Sequence, residues 1–413
     1  MKGTPATPLY APSGATPPGP WLRLLSLASV AGVALVVATG AWALAHDVTA
    51  HVTLTLLFAV VLGARLAHPH RPDLFTTALA AFLLFAAAGV AGLYEAPSFV
   101  HLTLGGLALA AAALSAAASF RGGATVPRGA WRDYVTLTKP RIMVLLLITA
   151  TGGMVVGAQG LPSADLVVAT LGGLALACGG ASALNHVLDR DVDTRMKRTS
   201  RRPVAAGRVP PARALEFGFA LSALSFVVLT SFVNITAALL AVAGNLFYVL
   251  VYTRWLKRST PQNIVIGGAA GAVPPLVGWA AVTGNLALPA LFLFLIVFLW
   301  TPPHFWALAL LIKRDYAAAG IPMLPVVRGE AETARSIVRY SFLLVGVTLL
   351  PVVWRTLGVI YLGAALALGA ALLWLAFSLQ REPTPPRARR LFSFSLAYLA
   401  LLFVAMAIDP LVL

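Results

Sequence analysis

The sequence predicts an all-α protein that crosses a membrane many times, and three observations support this fold class. Of the 413 residues, 59% are hydrophobic and only 11% are charged, and the mean hydropathy is +0.87. A soluble domain carries about 25% charged residues, so the composition excludes a soluble enzyme. Thirteen apolar runs follow one another, most of them long enough to span the hydrocarbon core. Backbone polar groups in lipid must be satisfied within each segment, so every run is predicted to be a helix.

The predicted elements fall into four parts along the chain. A proline- and glycine-rich tail over residues 1–20 lacks hydrophobic periodicity and is predicted to be disordered. Four spans form an N-terminal membrane extension over 21–120, a polar linker with an amphipathic entry segment covers 121–140, and nine spans follow within 141–413. The predicted spans are 22–45, 51–67, 74–94, 99–120, 142–158, 165–188, 214–233, 235–252, 263–283, 287–312, 337–353, 358–378 and 391–411.

The positive charge indicates the orientation of these spans. The 30 Lys and Arg residues exceed the 14 Asp and Glu residues by 16, which in a soluble protein would suggest a nucleic-acid partner. Here the basic residues lie in short loops, and only Arg355 falls outside when the N-terminus is cytoplasmic. The positive-inside rule therefore predicts a cytoplasmic N-terminus. We expect a bacterial cytoplasmic membrane protein whose partner is the lipid bilayer, with no nucleic-acid partner. The single cysteine, Cys178, excludes an intramolecular disulfide and a multi-thiolate metal site.

The richest polar segment ends a span at the predicted cytoplasmic side. Asn185, Asp189 and Asp193 are spaced four residues apart, so they drift by roughly 40° per step and share one helical face. Ionisable groups that run back into an apolar helix are costly and usually functional. Carboxylate and amide oxygens on one face suit Mg²⁺, which is held by one or two carboxylates together with substrate phosphates.

A basic stretch follows directly and suits a phosphate ligand. Arg198 and Arg202 belong to it, and their planar guanidinium groups match phosphate oxygens. A solvated cytoplasmic loop would explain these arginines but not the three aligned oxygen ligands. Asp191 lies off that face and is predicted to pair with Arg190 or Arg195 instead.

Two further segments reach the same membrane face. Lys257 and Arg258 end one span, after Tyr252, and a glycine-rich helix follows them. Such small residues let backbones or a bulky ligand approach closely. As an alternative, Lys257 and Arg258 form an ordinary basic loop.

In the second of these segments, His304 lies within a span after a Pro-Pro pair and near Trp300. It either packs as a buried histidine or contributes to a reactive cavity. Lys313 and Asp315 close that span on the cytoplasmic side. The three segments together predict a lipid-open cavity that holds a metal-bound diphosphate at its mouth and a hydrocarbon chain inside.

Five stretches carry a resemblance to a known family. They are DYVTLTKPRI at 133–142, NHVLDRDVDTRMKRTSRRP at 185–203, YTRWLKRSTPQNIVIGGAAGAVPP at 252–275, WTPPHFWALA at 300–309 and DYAAAGIPMLPVV at 315–327. On these stretches the region 133–411 resembles the UbiA superfamily of intramembrane prenyltransferases, and the last two stretches resemble its haem-modifying branch. The resemblance implies a nine-helix bundle, preceded here by about four additional helices. It also implies farnesyl transfer from farnesyl diphosphate to the 2-vinyl group of protohaem IX (haem B), giving haem O for haem–copper oxidase biogenesis.

The resemblance also implies roles for individual residues. Asn185, Asp189 and Asp193 would form the first magnesium–diphosphate motif, and Asp315 would represent the second, although Ala319 stands where that motif expects another carboxylate. The predicted catalytic residues are Asn185, Asp189, Asp193, Asp315 and Lys257. The predicted diphosphate ligands are Arg198, Arg202, Lys257, Arg258 and Lys313, and the haem or acceptor candidates are His304, Trp300 and Tyr252.

Two other functions remain open at this point. One is transfer to the aromatic ring of a quinone precursor, which the stretches at 300–327 disfavour. The other is a haem-handling transporter or scaffold, although transporters place polar residues near the bilayer midplane, often in inverted repeats. In the four extra helices, His51 and His101 lie at similar depth and are either interfacial residues or axial ligands of a b-type haem. That arrangement resembles half of haem A synthase, which acts on haem O and is a candidate partner.

Overall fold

A computed structural model describes residues 131–412 of the chain. This part is helical and contains nine helices that are long and apolar enough to cross a membrane, which confirms the nine spans predicted for it. The tail, the four-helix extension with His51 and His101, and linker residues 121–130 lie outside the described residues. The domain boundaries and the membrane orientation stay predictions.

The helices are numbered here in chain order. Short helices lie at the edges of the bundle, namely α1 (Trp131–Leu137), α4 (Arg190–Arg195), α9 (Lys313–Ala318) and α10 (Leu324–Val327). The spans are α2 (Pro140–Ala158), α3 (Ala164–Leu188), α5 (Pro211–Phe232), α6 (Ile235–Ser259), α7 (Asn263–Thr283), α8 (Leu288–Leu311), α11 (Gly329–Val353), α12 (Val359–Arg381) and α13 (Pro385–Val412).

Several spans begin earlier than the hydropathy predicts, and charge explains the difference. The first turn of α11 contains Glu330 and Glu332, and α13 begins with arginines in its first two turns. Such residues lower the local hydropathy, yet they are good helix formers outside the hydrocarbon core. The helices therefore continue past the apolar runs by six to eight residues.

The nine spans form a closed ring. Successive spans pack against one another, and the last span, α13, packs against the first, α2. Other contacts cross this order, and the most extensive are those of α2 along α7 and of α8 along α13. Since successive spans run in opposite directions, the C-terminal ends of α3, α6 and α8 lie at the same end of the ring.

Helices α6 and α7 each contain an irregular segment. Helix α6 changes to π-helical geometry over Phe247–Leu256, a geometry that is rare and often occurs at functional sites. Helix α7 is interrupted at Ala272, directly before Val273 and the Pro274–Pro275 pair, because proline lacks the N–H that a helix needs.

Candidate active site

The three aligned polar residues remain on one face across the end of α3. Asp189 separates α3 from α4, but its N–H donates to the Asn185 carbonyl at 2.9 Å, and the Asp193 N–H donates to the Asp189 carbonyl at 2.7 Å. Helical spacing therefore continues through the break. All three side chains are buried, at 1–3% exposure, although water solvates carboxylates strongly.

Asn185 and Asp189 form a connected pair with two lysines. Asn185 Nδ2 donates to Asp189 Oδ2 at 2.8 Å, and Lys257 Nζ donates to the same oxygen at 2.5 Å. Lys139 Nζ donates to Asn185 Oδ1 at 2.7 Å. Asp189 Oδ1 is buried and accepts no hydrogen bond, so one coordination position of this carboxylate stays open.

Lys139 is a site residue that the sequence reasoning missed. It precedes Pro140 at the start of α2 and adopts a left-handed backbone conformation with φ 52°, which costs energy for a residue with a Cβ. Burial, together with the charges of Arg202 and Lys257, lowers the pKa of Lys139 to about 7. A lysine directly before a proline at the start of a span was the available signal.

Asp193 faces a different cation. Nη1 of Arg202 lies 2.9 Å from both Asp193 carboxylate oxygens. This places Arg202 beside the acidic face, whereas its role as a diphosphate ligand stays a prediction. Arg198 is exposed nearby.

The prediction for Asp191 was wrong. Asp191 pairs with Arg258 through two hydrogen bonds of 2.7 Å, and not with Arg190 or Arg195. These hydrogen bonds lower the pKa of Asp191 to about 2. Arg258 also donates to the Leu188 carbonyl at 2.7 Å and lies 3.8 Å from Asp189 Oδ1. The Arg258 side chain, which was predicted to bind diphosphate, is thus held beside the acidic face by the Asp191 carboxylate, 67 residues away in the chain.

The third segment reaches the first one through Asp315. Asp315 Oδ2 accepts a hydrogen bond of 3.1 Å from the Arg198 backbone N–H. Ala319, which stands where a second carboxylate was expected, is buried. Lys313 instead forms an exposed ion pair of 3.2 Å with Glu330, so the structure does not bring it to the acidic face.

Apolar side chains connect these segments below the charged groups. Val192, Met196, Ile264 and Tyr316 form a buried cluster, and Tyr252 packs against it. Tyr252 also stacks on Tyr248, with ring centroids 5.6 Å apart. A Cβ at Gly267 would lie 2.3 Å from the Tyr252 ring, so the absence of a side chain there lets the ring approach α7 closely.

The remaining acceptor candidates lie deeper in the bundle. His304 and Trp300 stack with centroids 4.3 Å apart, and their hydrogen-bond partners are on α13. Seven residues separate His304 from Leu311 at the end of α8, which corresponds to about 10 Å along the helix axis. The structure therefore groups His304 with Trp300 but separates both from the acidic face.

The donor set decides which kind of metal ion fits. Within residues 131–412 no group of three or more His, Cys, Asp or Glu side chains lies close enough to hold a metal alone. Asp189 and Asp193 each have a basic partner, and one oxygen of Asp189 is open. This arrangement does not fit an all-protein cage but does fit Mg²⁺ shared with substrate phosphates, because Mg²⁺ needs only one or two carboxylates.

Comparisons with known proteins agree with this geometry. Residues 146–403 match the model of the UbiA prenyltransferase family. The chain is 56% identical over 280 residues to a protoheme IX farnesyltransferase from Symbiobacterium thermophilum, covering 67% of this chain and 94% of that protein. It is 53% identical over 282 residues to a protoheme IX farnesyltransferase from Roseiflexus sp., covering 68% of this chain but only 53% of that longer protein.

A solved structure shows the same fold. A structure of digeranylgeranylglyceryl phosphate synthase superposes with a TM-score of 0.58 at 19% identity, covering 68% of this chain and 99% of that one. At this identity the likeness concerns the arrangement of the helices alone.

Proposed function

The chain belongs to the UbiA prenyltransferase family, and we propose that it transfers a farnesyl group from farnesyl diphosphate to the 2-vinyl group of protohaem IX, giving haem O. The observation that carries the proposal is the buried face of Asn185, Asp189 and Asp193, which basic side chains surround at one end of the bundle. The acceptor is supported by the relative from Symbiobacterium thermophilum, a protoheme IX farnesyltransferase that is 56% identical along nearly its whole length.

The ion pairs of the site explain how it can accept a metal-bound diphosphate. Lys257 and Arg202 neutralise Asp189 and Asp193 in the described structure. A buried carboxylate cannot lose its partner cheaply, because an uncompensated buried charge costs several kcal/mol. On substrate binding, Asp189 and Asp193 would hold the metal in place of their basic partners, while Lys257 and Arg202 would turn to the phosphate oxygens. Each of these charges would then keep a partner.

Each group then has a defined role. Asn185, Asp189 and Asp193 would hold the metal from the α3 side, and Asp315 would approach it from α9. Bound Mg²⁺ supplies positive charge that stabilises the departing diphosphate. Lys257, Arg202 and Arg258 add charge-assisted hydrogen bonds to the diphosphate oxygens as the allylic C–O bond breaks.

The apolar part of the site receives the acceptor. The cluster around Tyr252 and Tyr316 excludes water from the allylic carbon, which protects the reactive centre against early hydrolysis. The vinyl group then forms the new carbon–carbon bond. A water adds its oxygen to the resulting porphyrin-stabilised cation and loses a proton, which leaves a hydroxyethylfarnesyl side chain.

Replacing Asp189 tests the metal–diphosphate site. We expect Asp189→Asn to reduce the transfer of labelled farnesyl to protohaem IX by about a hundredfold or more, since the open oxygen loses its charge. The matched control is Glu382→Gln, because Glu382, in the α12–α13 loop, forms an exposed ion pair with Arg387 at the start of α13. Glu382→Gln should retain full activity. Wild-type turnover in Asp189→Asn would contradict the site.

The same assay separates the acceptors. Purified protein receives labelled farnesyl diphosphate with protohaem IX or with 4-hydroxybenzoate, an aromatic quinone precursor. Product with protohaem IX alone supports the proposal, whereas product with the aromatic acid alone supports the alternative reaction. Haem binding without any transfer would favour a haem-handling role.

We further propose that the protein lies in the bacterial cytoplasmic membrane with its N-terminus and acidic face on the cytoplasmic side. Reporter fusions after residues 20 and 328 should both report a cytoplasmic location, because the positive-inside rule places the N-terminal tail and the loop at 328 inside.

The proposed product is the substrate of haem A synthase, so we expect that enzyme to be a partner. Co-purification of the two proteins tests this contact. Replacing His51 and His101 together tests whether the extension binds a b-type haem, whose absorption would then disappear.

A further inference from the structure

A hydrogen-bonded cluster between α8 and α13 surrounds His304. Nδ1 of His304 lies 2.7 Å from the hydroxyl oxygen of Ser395, and that hydroxyl donates to the Phe392 carbonyl at 2.7 Å. Trp300 Nε1 donates to the Ser395 carbonyl at 2.7 Å. Ser395 is fully buried, so α13 presents both its hydroxyl and its carbonyl to α8 at one place.

These contacts determine which imidazole nitrogen carries the proton. A serine hydroxyl has a single proton, and Ser395 directs it to the Phe392 carbonyl. The hydroxyl oxygen must therefore accept the hydrogen bond from His304, which requires an N–H at Nδ1. In the neutral imidazole, Nε2 then carries an unshared electron pair.

The ring is held, yet its second nitrogen has no protein partner. The imidazole lies between Trp300 and Phe392, with centroids 4.3 and 4.8 Å away and interplanar angles of 15° and 23°. Both faces of the ring are covered, so its orientation is fixed. Within residues 131–412, Nε2 makes no hydrogen bond and is not an enclosed atom. A histidine that only filled space between two aromatic rings would not need an oriented, open Nε2.

We propose that Nε2 of His304 is the axial ligand of the iron of the porphyrin acceptor, and that Ser395 is the positioning residue that fixes its tautomer. The inference rests on the proposed function. Histidine ligands of metals usually donate their other N–H to a fixed acceptor, which orients the ring and raises its basicity, and histidine is a common ligand of haem iron. The iron lies at the centre of the porphyrin and the vinyl groups lie at its edge. His304 lies about 10 Å along α8 from Leu311. Ligation of the iron by His304 would hold the vinyl-bearing edge toward the end of the bundle where the diphosphate binds.

The experiment compares two porphyrins on the full-length protein without farnesyl diphosphate. Haem B contains iron, whereas metal-free protoporphyrin IX has the same ring and cannot be ligated. We expect His304→Ala to weaken haem B binding at least about tenfold and to shift its Soret band. Binding of metal-free protoporphyrin IX should stay unchanged, which also shows that the variant is folded. Added imidazole should restore the Soret band in His304→Gly.

Ser395→Ala tests the positioning role. We expect on the order of tenfold weaker binding of haem B, because the Nδ1 proton loses its acceptor, and unchanged binding of metal-free protoporphyrin IX. Equal losses for both porphyrins, or an unchanged Soret band in His304→Ala, would overturn the inference. The proposed function is judged separately: it fails if the wild-type protein makes no haem O, even when His304 ligates iron.

Discussion

The contact between α2 and α7 leads to a prediction whose size follows from the structure. A Cβ at Gly278 would lie 2.0 Å from the Ala150 carbonyl oxygen, about 1 Å closer than real Cβ atoms approach any heavy atom. A Cβ at Gly153 would lie 2.3 Å from the Pro275 carbonyl oxygen. The two backbones therefore touch at two points, and neither contact can be relieved by rotating a side chain.

Gly278→Ala should destabilise the protein by forcing these helices apart. Overpacking costs about 1–3 kcal/mol, and the higher helix propensity of alanine offsets about 0.5–1 kcal/mol. We expect a net loss of about 1–2 kcal/mol in the free energy of unfolding. The measurement is unfolding in sodium dodecyl sulfate from mixed micelles, followed by circular dichroism.

The matched control is Gly172→Ala in α3. Gly172 is exposed and a Cβ there would meet nothing within 4 Å. This variant gains the same helix propensity without a clash, so its stability should stay equal or rise slightly. If Gly278→Ala unfolds at the same denaturant fraction as Gly172→Ala, the close approach of α2 and α7 is refuted.

Two further predictions concern α12 and the acceptor region. Asp409→Ala should lower the free energy of unfolding by about 1–3 kcal/mol, because the buried Asp409 carboxylate accepts hydrogen bonds from the Gly358 and Tyr361 N–H groups at the start of α12. Unfolding of wild type and variant under the same conditions measures this loss. Equal stability of the two proteins would contradict the prediction. Gly267→Ala should displace the Tyr252 ring and reduce farnesyl transfer by up to about a hundredfold with little change in the unfolding midpoint. Full activity of that variant would show that Tyr252 has no part in catalysis.

The spans could be predicted because each depends on local composition. Helix α12 can be predicted from its own apolar residues, because most of its backbone groups form hydrogen bonds within the helix. Helix ends were less certain, since Glu330 and Glu332 extend α11 outside the hydrocarbon core, where hydropathy carries no signal. The π-helical geometry of α6 also had no recognisable pattern in the sequence.

The sequence by itself determined that Asn185, Asp189 and Asp193 share a face, because helical periodicity acts between residues four apart. Only the tertiary structure decided which groups meet that face. Lys139 reaches Asn185 across 46 residues, Arg258 reaches Asp191 across 67, and Ser395 reaches His304 across 91. Such partners depend on how separate helices pack, and packing is set by the shapes of many side chains together. Local spacing fixes the direction in which a side chain points from its own helix, whereas the side chains that it meets belong to helices distant in the chain.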